Sequence, residues 1–273
     1  MPKIITSSLK ESFSIMWKNK PWIFLLVFLQ IIFIILFFYI NYVYQPKILE
    51  STKAIGDYLD KLPSDDVAIA SNILHQKSVL GDDPLAITRN LNEAIKNFRL
   101  LMVYIFLLLM IFVPLMWAVS FRLTNKKFYL KYFSRLLAII LFCLGLIFLF
   151  FYLIFNISLT DVLSARLFLK YIPLVFFSAA MLHFMFISMS LAGSTELKEI
   201  VQKTLAIGIK KMHYIFVAYF INILLFVASL ALLLYSVEAN VFIIVLLSLI
   251  LLIFDFIFTR IFLINVVEKL RDY

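Results

Sequence analysis

Residues 22–44 read WIFLLVFLQIIFIILFFYINYVY, and this stretch decides the fold of the chain. It carries no charged residue, and a helix of about 20 predominantly apolar residues is long enough to cross the hydrocarbon core of a bilayer. The run is too long for the apolar region of a signal peptide, and no small-residue cleavage site follows it. We therefore expect a membrane-spanning helix that is retained in the protein.

Five similar runs follow, and the composition agrees with them. Hydrophobic residues make up 64% of the 273 residues and charged residues only 15%. A chain this short cannot bury so much apolar surface inside itself, so much of that surface must face lipid. We predict an all-α bundle of six transmembrane helices, forming one membrane domain over residues 1–273. The predicted spans are 22–44, 100–121, 136–158, 171–192, 213–235 and 241–264.

The positive charges indicate the orientation of these spans. The chain has 25 Lys and Arg against 16 Asp and Glu, an excess that would also suit a nucleic-acid-binding protein. The basic residues, however, concentrate before the first span and in the second and fourth loops, which all lie on one side of the membrane. This distribution follows the positive-inside rule. It predicts a multi-pass protein of the cell membrane with both termini in the cytoplasm, and it argues against a nucleic-acid partner.

The first external loop, 45–99, is the only sizeable segment outside the membrane. Pro63 and Gly81 each begin a short sequence typical of a turn followed by a helix N-terminus. From Pro84 onwards apolar residues recur at helical spacing into the second span, which predicts a long helix that projects outside the membrane. We expect this loop to contact a membrane protein partner.

A basic amphipathic stretch precedes each odd-numbered span, which predicts three repeats of an elbow helix followed by a helical hairpin. In the first elbow, Ile5, Leu9, Phe13 and Met16 share one face. Such segments lie in the membrane interface and turn their basic side chains toward anionic headgroups. The predicted headgroup contacts are Lys10, Lys18, Lys126, Lys127, Lys131, Lys203, Lys210 and Lys211.

Two of the elbows contain the same tripeptide: Leu9-Lys10-Glu11 precedes the first span, and Leu197-Lys198-Glu199 precedes the fifth. The first elbow continues into Trp17-Lys18-Asn19-Lys20-Pro21 and then a Phe/Leu/Ile-rich span. This order resembles a broad group of uncharacterised prokaryotic six-span membrane proteins, which includes the membrane domain attached to some glycerophosphodiester phosphodiesterases. The resemblance covers the elbows and the number of spans. It implies no activity, and the chain contains no phosphodiesterase domain.

Four polar residues fall at similar depth inside the predicted spans: Gln30, His183, Asn222 and Asp255. Ionisable and amide groups are costly in a membrane, so each of them needs a structural or functional reason. Small and polar neighbours at helical spacing place them on inward faces, where interhelical hydrogen bonds form. We predict an intramembrane polar layer between spans four, five and six, which Gln30 can join.

Two interpretations of this layer stay open. In one, His183 and Asp255 form a pair that lines a path for a solute or a proton. In the other, they form a hydrogen-bonded clamp that holds the helices in register. Arg260, near the inner end of span six, is expected to extend its long side chain toward the interface.

The sequence contains no catalytic motif, phosphate loop or nucleophile elbow. The histidines His75, His183 and His213 fall outside the membrane, near its midplane and at its inner edge, so we predict no metal site, and we predict no cofactor. We expect a non-enzymatic protein, a scaffold or a subunit of a larger membrane complex. A small permease or channel-like transporter is the alternative, although glycine-interrupted spans, which are common in transporters, are scarce here. An intramembrane lipid enzyme is a third.

Overall fold

The computed structural model describes residues 2–59, 85–125, 130–159, 167–193, 197–239 and 241–271. These residues form α-helices and one short π-helical segment, with no strand among them. The α-helices are α1 (Pro2–Lys18), α2 (Lys20–Leu59), α3 (Ala86–Asn125), α4 (Leu130–Leu159), α5 (Leu167–Leu191), α6 (Leu197–Leu205), α7 (Met212–Glu238) and α8 (Phe242–Arg271). The π-helix, Ala206–Lys210, joins α6 to α7.

Six of the helices are long and apolar enough to cross a membrane: α2, α3, α4, α5, α7 and α8. The prediction of an all-α six-span bundle is therefore confirmed. The six predicted spans fall within these helices except at two ends, where Ala192 and Val241 each lie one residue outside a helix. The first two helices are much longer than their spans, because α2 and α3 each contain 40 residues. At 1.5 Å per residue such a helix is about 60 Å long, roughly twice the thickness of the hydrocarbon core.

Helices α2 and α3 form a long antiparallel pair held by aromatic contacts. The rings of Phe33 and Phe112 lie 5.9 Å apart, and those of Tyr44 and Tyr104 lie 5.5 Å apart. The second contact lies at the end of the predicted first span, and Ser51 of α2 and Ala94 of α3, which lie past it, are both buried. Much of the region 45–99 is thus helical, while residues 60–84, which include the predicted turns at Pro63 and Gly81, lie outside the described residues.

The buried core is concentrated at one end of the bundle. That end, here called the terminal end, contains α1, the first turns of α2, α4 and α7, and the last turns of α3, α5 and α8. There Phe121 of α3 stacks on Tyr132 of α4 at 4.3 Å, and Arg135 donates a hydrogen bond to the carbonyl of Ala192 at 3.3 Å. Lys211 donates a hydrogen bond to the carbonyl of Leu270 at 2.5 Å. This carbonyl lies in the last turn of α8, where the helix itself supplies no N–H donor.

Helix α1 packs on the second half of α8 through polar contacts as well as apolar ones. Asn265 donates a hydrogen bond to the hydroxyl of Ser12 at 2.8 Å, and Ser12 in turn donates to the carbonyl of Ser8 at 2.7 Å. The buried stripe of α1 consequently runs through Ser8 and Ser12, whereas Phe13, which lies on the predicted apolar face of this elbow, is largely exposed. A buried Asn265 needs a partner, and the serine stripe supplies it.

The other two elbows differ from α1. Helix α6 and the π-helix together form the one that precedes α7. Of the one that precedes the third span, residues 126–129 lie outside the described part of the chain, and the rest forms the first turns of α4.

Candidate functional site

A cavity of about 580 Å³ lies between α3, α5, α7 and α8. Most of its wall is apolar, with Trp117, Phe186 and Phe226 among the larger side chains. Its polar residues come from three of the helices and include both ionisable and neutral groups. They are His183 on α5, Tyr219 and Asn222 on α7, and Asp255, Thr259 and Arg260 on α8.

The cavity opens between α5 and α7. Ala179 on α5 and Ile223 on α7 line it, and both side chains are also exposed on the surface of the bundle. Both residues lie in helices that are long and apolar enough to cross a membrane. In a bilayer the opening would therefore face lipid.

His183 lies at the edge of the cavity against the π-helix. Its Nε2–H donates a hydrogen bond to the carbonyl of Gly208 at 3.2 Å, and its ring lies 5.8 Å from that of Tyr219. Nδ1 is buried and has no partner among the residues that the structure describes. Because a neutral imidazole that donates from one nitrogen accepts at the other, Nδ1 is available as an acceptor.

A glycine allows this close approach of the π-helix to α5. A Cβ atom at Gly208 would lie 2.7 Å from a ring carbon of Phe184 and 3.4 Å from Nε2 of His183. Any other residue at this position would push the π-helix or the Phe184 ring aside. Single π-helical turns occur frequently at functional sites because they aim side chains and carbonyls in directions that a regular helix does not offer.

Asn222 and Tyr219 contribute buried polar atoms that have no hydrogen-bonding partner within the described part of the chain. Asn222 is only 7% exposed, and both its amide nitrogen and its amide oxygen lack a partner. The Tyr219 hydroxyl is buried and unpartnered as well. Leaving such a group unsatisfied costs about 1–3 kcal/mol. A ligand in the cavity that made these hydrogen bonds would recover that free energy.

Asp255 is held by the neighbouring helix. The hydroxyl of Ser229 on α7 donates a hydrogen bond to its Oδ2 atom. His183 and Asp255 thus line one cavity, but each bonds a different neighbour, and among the described residues no hydrogen bond joins them. The described residues thus show neither a direct His183–Asp255 pair nor a clamp made by a hydrogen bond between these two side chains.

Arg260 adds a positive charge that the sequence interpretation placed elsewhere. Its Nη1 donates to Oε1 of Gln30 at 3.0 Å and lies 3.5 Å from the sulfur of Met116. Nε and Nη2 are buried and find no partner in the described ranges of the chain. The expectation that this side chain extends to the interface is wrong. Helices α2 and α3 pack against this part of α8, and the glutamine oxygen offers an acceptor inside the bundle.

Three of the four residues of the predicted polar layer line the cavity: His183, Asn222 and Asp255. Gln30 is buried but is not part of the cavity wall, and it contacts the site through Arg260. Sequence reasoning assigned no site role to Arg260 or Tyr219. Helical spacing offered a signal for Tyr219, which lies one turn before Asn222 on the same face of α7.

The lysines predicted to contact headgroups occupy varied positions. Lys10, Lys18 and Lys210 are exposed, and Lys203 forms an ion pair with Glu199 at 3.2 Å. Lys211 is partly buried because it bonds the end of α8. Lys131 lies in the first turn of α4, and Lys126 and Lys127 lie outside the described residues. In the part of the chain that the structure describes, no three His, Cys, Asp or Glu side chains gather into a metal-binding group.

Comparison of the chain with protein-family models, with curated proteins and with solved structures returns no match. The resemblance to six-span membrane domains found with glycerophosphodiester phosphodiesterases therefore stays a prediction. The cavity itself supplies the chemistry from which a function can be argued. Its donors are Arg260 and the amide of Asn222, its acceptors include Nδ1 of His183 and the Asp255 carboxylate, and its wall is apolar.

Proposed function

We propose that this polytopic membrane protein binds a ligand in the cavity between α3, α5, α7 and α8 and acts as a small permease for it. The observation that carries the proposal is the set of unpartnered polar atoms on Asn222, Tyr219, His183 and Arg260 around one cavity. A purely structural clamp would satisfy its polar groups within the protein, since buried polar groups are almost always hydrogen-bonded.

The size and lining of the cavity also support binding. Ligand sites are concave, mostly apolar and of about 300–1,000 Å³, with a few convergent polar groups that fix orientation. The cavity of about 580 Å³ falls in that range. The proposed orientation has the terminal end in the cytoplasm, as the distribution of Lys and Arg favours. The exposed Lys10, Lys18 and Lys210 would then contact anionic headgroups of the inner leaflet.

Blocking the opening of the cavity tests the proposal. Ala179→Trp introduces a bulky ring at the opening between α5 and α7. Val175→Trp is a matched control, because Val175 lies one turn earlier on α5, is exposed and does not line the cavity. Native mass spectrometry of protein extracted in mild detergent should find one bound small molecule in the wild type and in Val175→Trp, and none in Ala179→Trp.

Transport requires a second measurement. The molecule that co-purifies is loaded into liposomes that contain the purified protein, and its efflux is followed in the wild type and in Asp255→Asn. The proposal predicts efflux through the wild type and little above empty liposomes through the variant. Efflux that is unchanged by both Asp255→Asn and Ala179→Trp would rule out a path through this cavity.

A scaffold or complex subunit is the second candidate, and the α2–α3 pair favours it. About half of each 40-residue helix extends beyond what a bilayer core needs. Leu49 and Leu91, in the region predicted to lie outside the membrane, are exposed apolar residues of the kind that partner interfaces bury. Stable co-purification of one stoichiometric protein, lost in Leu49→Asp together with Leu91→Asp, would support this function.

A further inference from the structure

The charges around the cavity indicate which class of ligand it accepts, an inference that rests on the proposed function of the cavity as a binding site. Asp255 and Arg260 line the same cavity and carry opposite charges. They do not neutralise each other directly. Arg260 uses Nη1 for Gln30 and Met116, its other nitrogens are unpartnered, and Asp255 accepts from Ser229.

The two residues are separated along α8 rather than adjacent. Five positions along a helix correspond to about 7.5 Å at 1.5 Å per residue. The separation lets a single ligand contact both side chains at once. Arg260 then offers guanidinium N–H donors and Asp255 offers carboxylate acceptors. Because α7 runs antiparallel to α8 and Ser229 bonds Asp255, Asn222 lies on the Arg260 side of that bond.

Charge balance narrows the choice of ligand. Arg260 and Asp255 line the cavity with opposite charges, and these two charges sum to zero. In a medium of low dielectric constant an uncompensated charge is costly. A monoanion or a monocation would leave the occupied cavity with a net charge, whereas a zwitterion would pair both side chains and keep it neutral.

The apolar wall and the opening define the rest of the ligand. Phe226 and Phe256 line the cavity, and Ile223 lies at the opening between α5 and α7. We propose that the ligand is a zwitterionic amphiphile, whose anionic group contacts Arg260 and Asn222, whose ammonium group contacts Asp255, and whose apolar part extends toward the opening between α5 and α7.

Three lysolipid-like probes of equal chain length test this assignment. They are a lysophosphatidylethanolamine, which is zwitterionic, a lysophosphatidylglycerol, which is anionic, and an alkyltrimethylammonium, which is cationic. Each is titrated into purified protein in a neutral maltoside detergent, and the bound fraction is measured by native mass spectrometry. We expect the zwitterionic probe to bind at least about tenfold more tightly than either of the others, because each of those leaves one buried charge unpaired.

Charge-removing variants should change the preference in opposite directions. Arg260→Gln should weaken the binding of the zwitterionic probe by about tenfold or more and strengthen that of the cationic probe relative to it. Asp255→Asn should weaken the binding of the zwitterionic probe by a similar factor and strengthen that of the anionic probe relative to it. Gel filtration verifies that each variant is folded. Should either variant fail to fold, the order of the three affinities in the wild type still decides the matter.

A fourth probe distinguishes the source of the ligand. Phenylalanine is a soluble zwitterion without a lipid tail. Tight binding of the lysophosphatidylethanolamine alone indicates a membrane lipid, and comparable binding of phenylalanine indicates a free solute of the same head chemistry. Equal or tighter binding of the anionic or cationic probe in the wild type, with binding blocked by Ala179→Trp, would overturn the zwitterion assignment and leave the proposed function standing. Binding of all probes that Ala179→Trp does not affect, or no binding at all, would overturn both.

Discussion

The two halves of α8 are both rich in Phe, Ile and Leu, yet they lie in opposite surroundings. In residues 242–256 most side chains are exposed, and Phe242 is 78% exposed. In residues 257–271 most side chains are buried, and Phe262 is 0% exposed. The second half runs through the middle of the terminal end, where α1 and the neighbouring spans enclose it.

The difference shows that apolarity does not distinguish a lipid-facing segment from a buried one. The polar residues do distinguish them, since those of the second half bond residues of α1 and α2, which are far from α8 in the sequence. Arg260 bonds Gln30, Asn265 bonds Ser12, and Lys269 forms an ion pair with Glu11 at 2.8 Å. In a membrane, helices gain little from hiding apolar surface from lipid, so packing and interhelical hydrogen bonds decide which segments associate.

The largest expected effect on stability is the difference between truncating a phenylalanine in the second half of α8 and truncating one in the first half. Phe262→Ala should destabilise the protein by about 3–5 kcal/mol, because it leaves a cavity in a packed core. Phe242→Ala removes the same atoms from an exposed position and should change stability little. Unfolding of the purified proteins in mixed micelles with increasing SDS measures both. Equal losses in the two variants would contradict the comparison.

A smaller effect is expected from the hydrogen bond between Asn265 and Ser12. Asn265→Ala should lower stability by about 1 kcal/mol, since it removes a buried interhelical hydrogen bond. Ser12→Ala and the double variant complete a double-mutant cycle, measured by the same unfolding assay. The structure predicts that the double variant loses less than the sum of the single losses. Strict additivity would mean that the contact contributes nothing.

The smallest effect is expected from the ion pair at the surface of the terminal end. Lys269 and Glu11 are both partly exposed, so Lys269→Met should cost about 0.5 kcal/mol or less. Unfolding at low and high salt provides the check, because screening should reduce the difference between wild type and variant. A loss as large as that of Asn265→Ala would show that the partly exposed contact matters as much as the buried one.

Much of the fold was predictable from hydropathy. The six spans were located because long apolar runs without charges have few alternatives in a soluble protein. Helical spacing after Pro84 predicted the start of α3, which begins at Ala86, but the end of α2 was not predicted well. Gln45 and Pro46 indicate an end to the first span, but α2 continues to Leu59 beside α3, with Tyr44 stacked on Tyr104. Hydropathy reports where the lipid ends and does not report where a helix ends.

The candidate site was predictable only in part. Helical spacing and depth identified His183, Asn222 and Asp255 as polar residues inside the spans, and the structure places all three around one cavity. Their partners were not readable from the sequence. His183 bonds the carbonyl of Gly208, and such a contact depends on the position of the π-helix rather than on any residue type.

The sequence by itself determined that this chain has six helices able to span a membrane, since long apolar runs satisfy their backbone hydrogen bonds in lipid only as helices. It also identified His183, Asn222 and Asp255 as polar residues inside those runs. Only the tertiary structure decided which half of α8 is buried, that Arg260 contacts Gln30, and that a cavity with unpartnered polar groups remains between four helices. These features depend on how the helices pack. An apolar side chain is about equally stable against lipid and against a neighbouring helix, so hydropathy does not predict that packing.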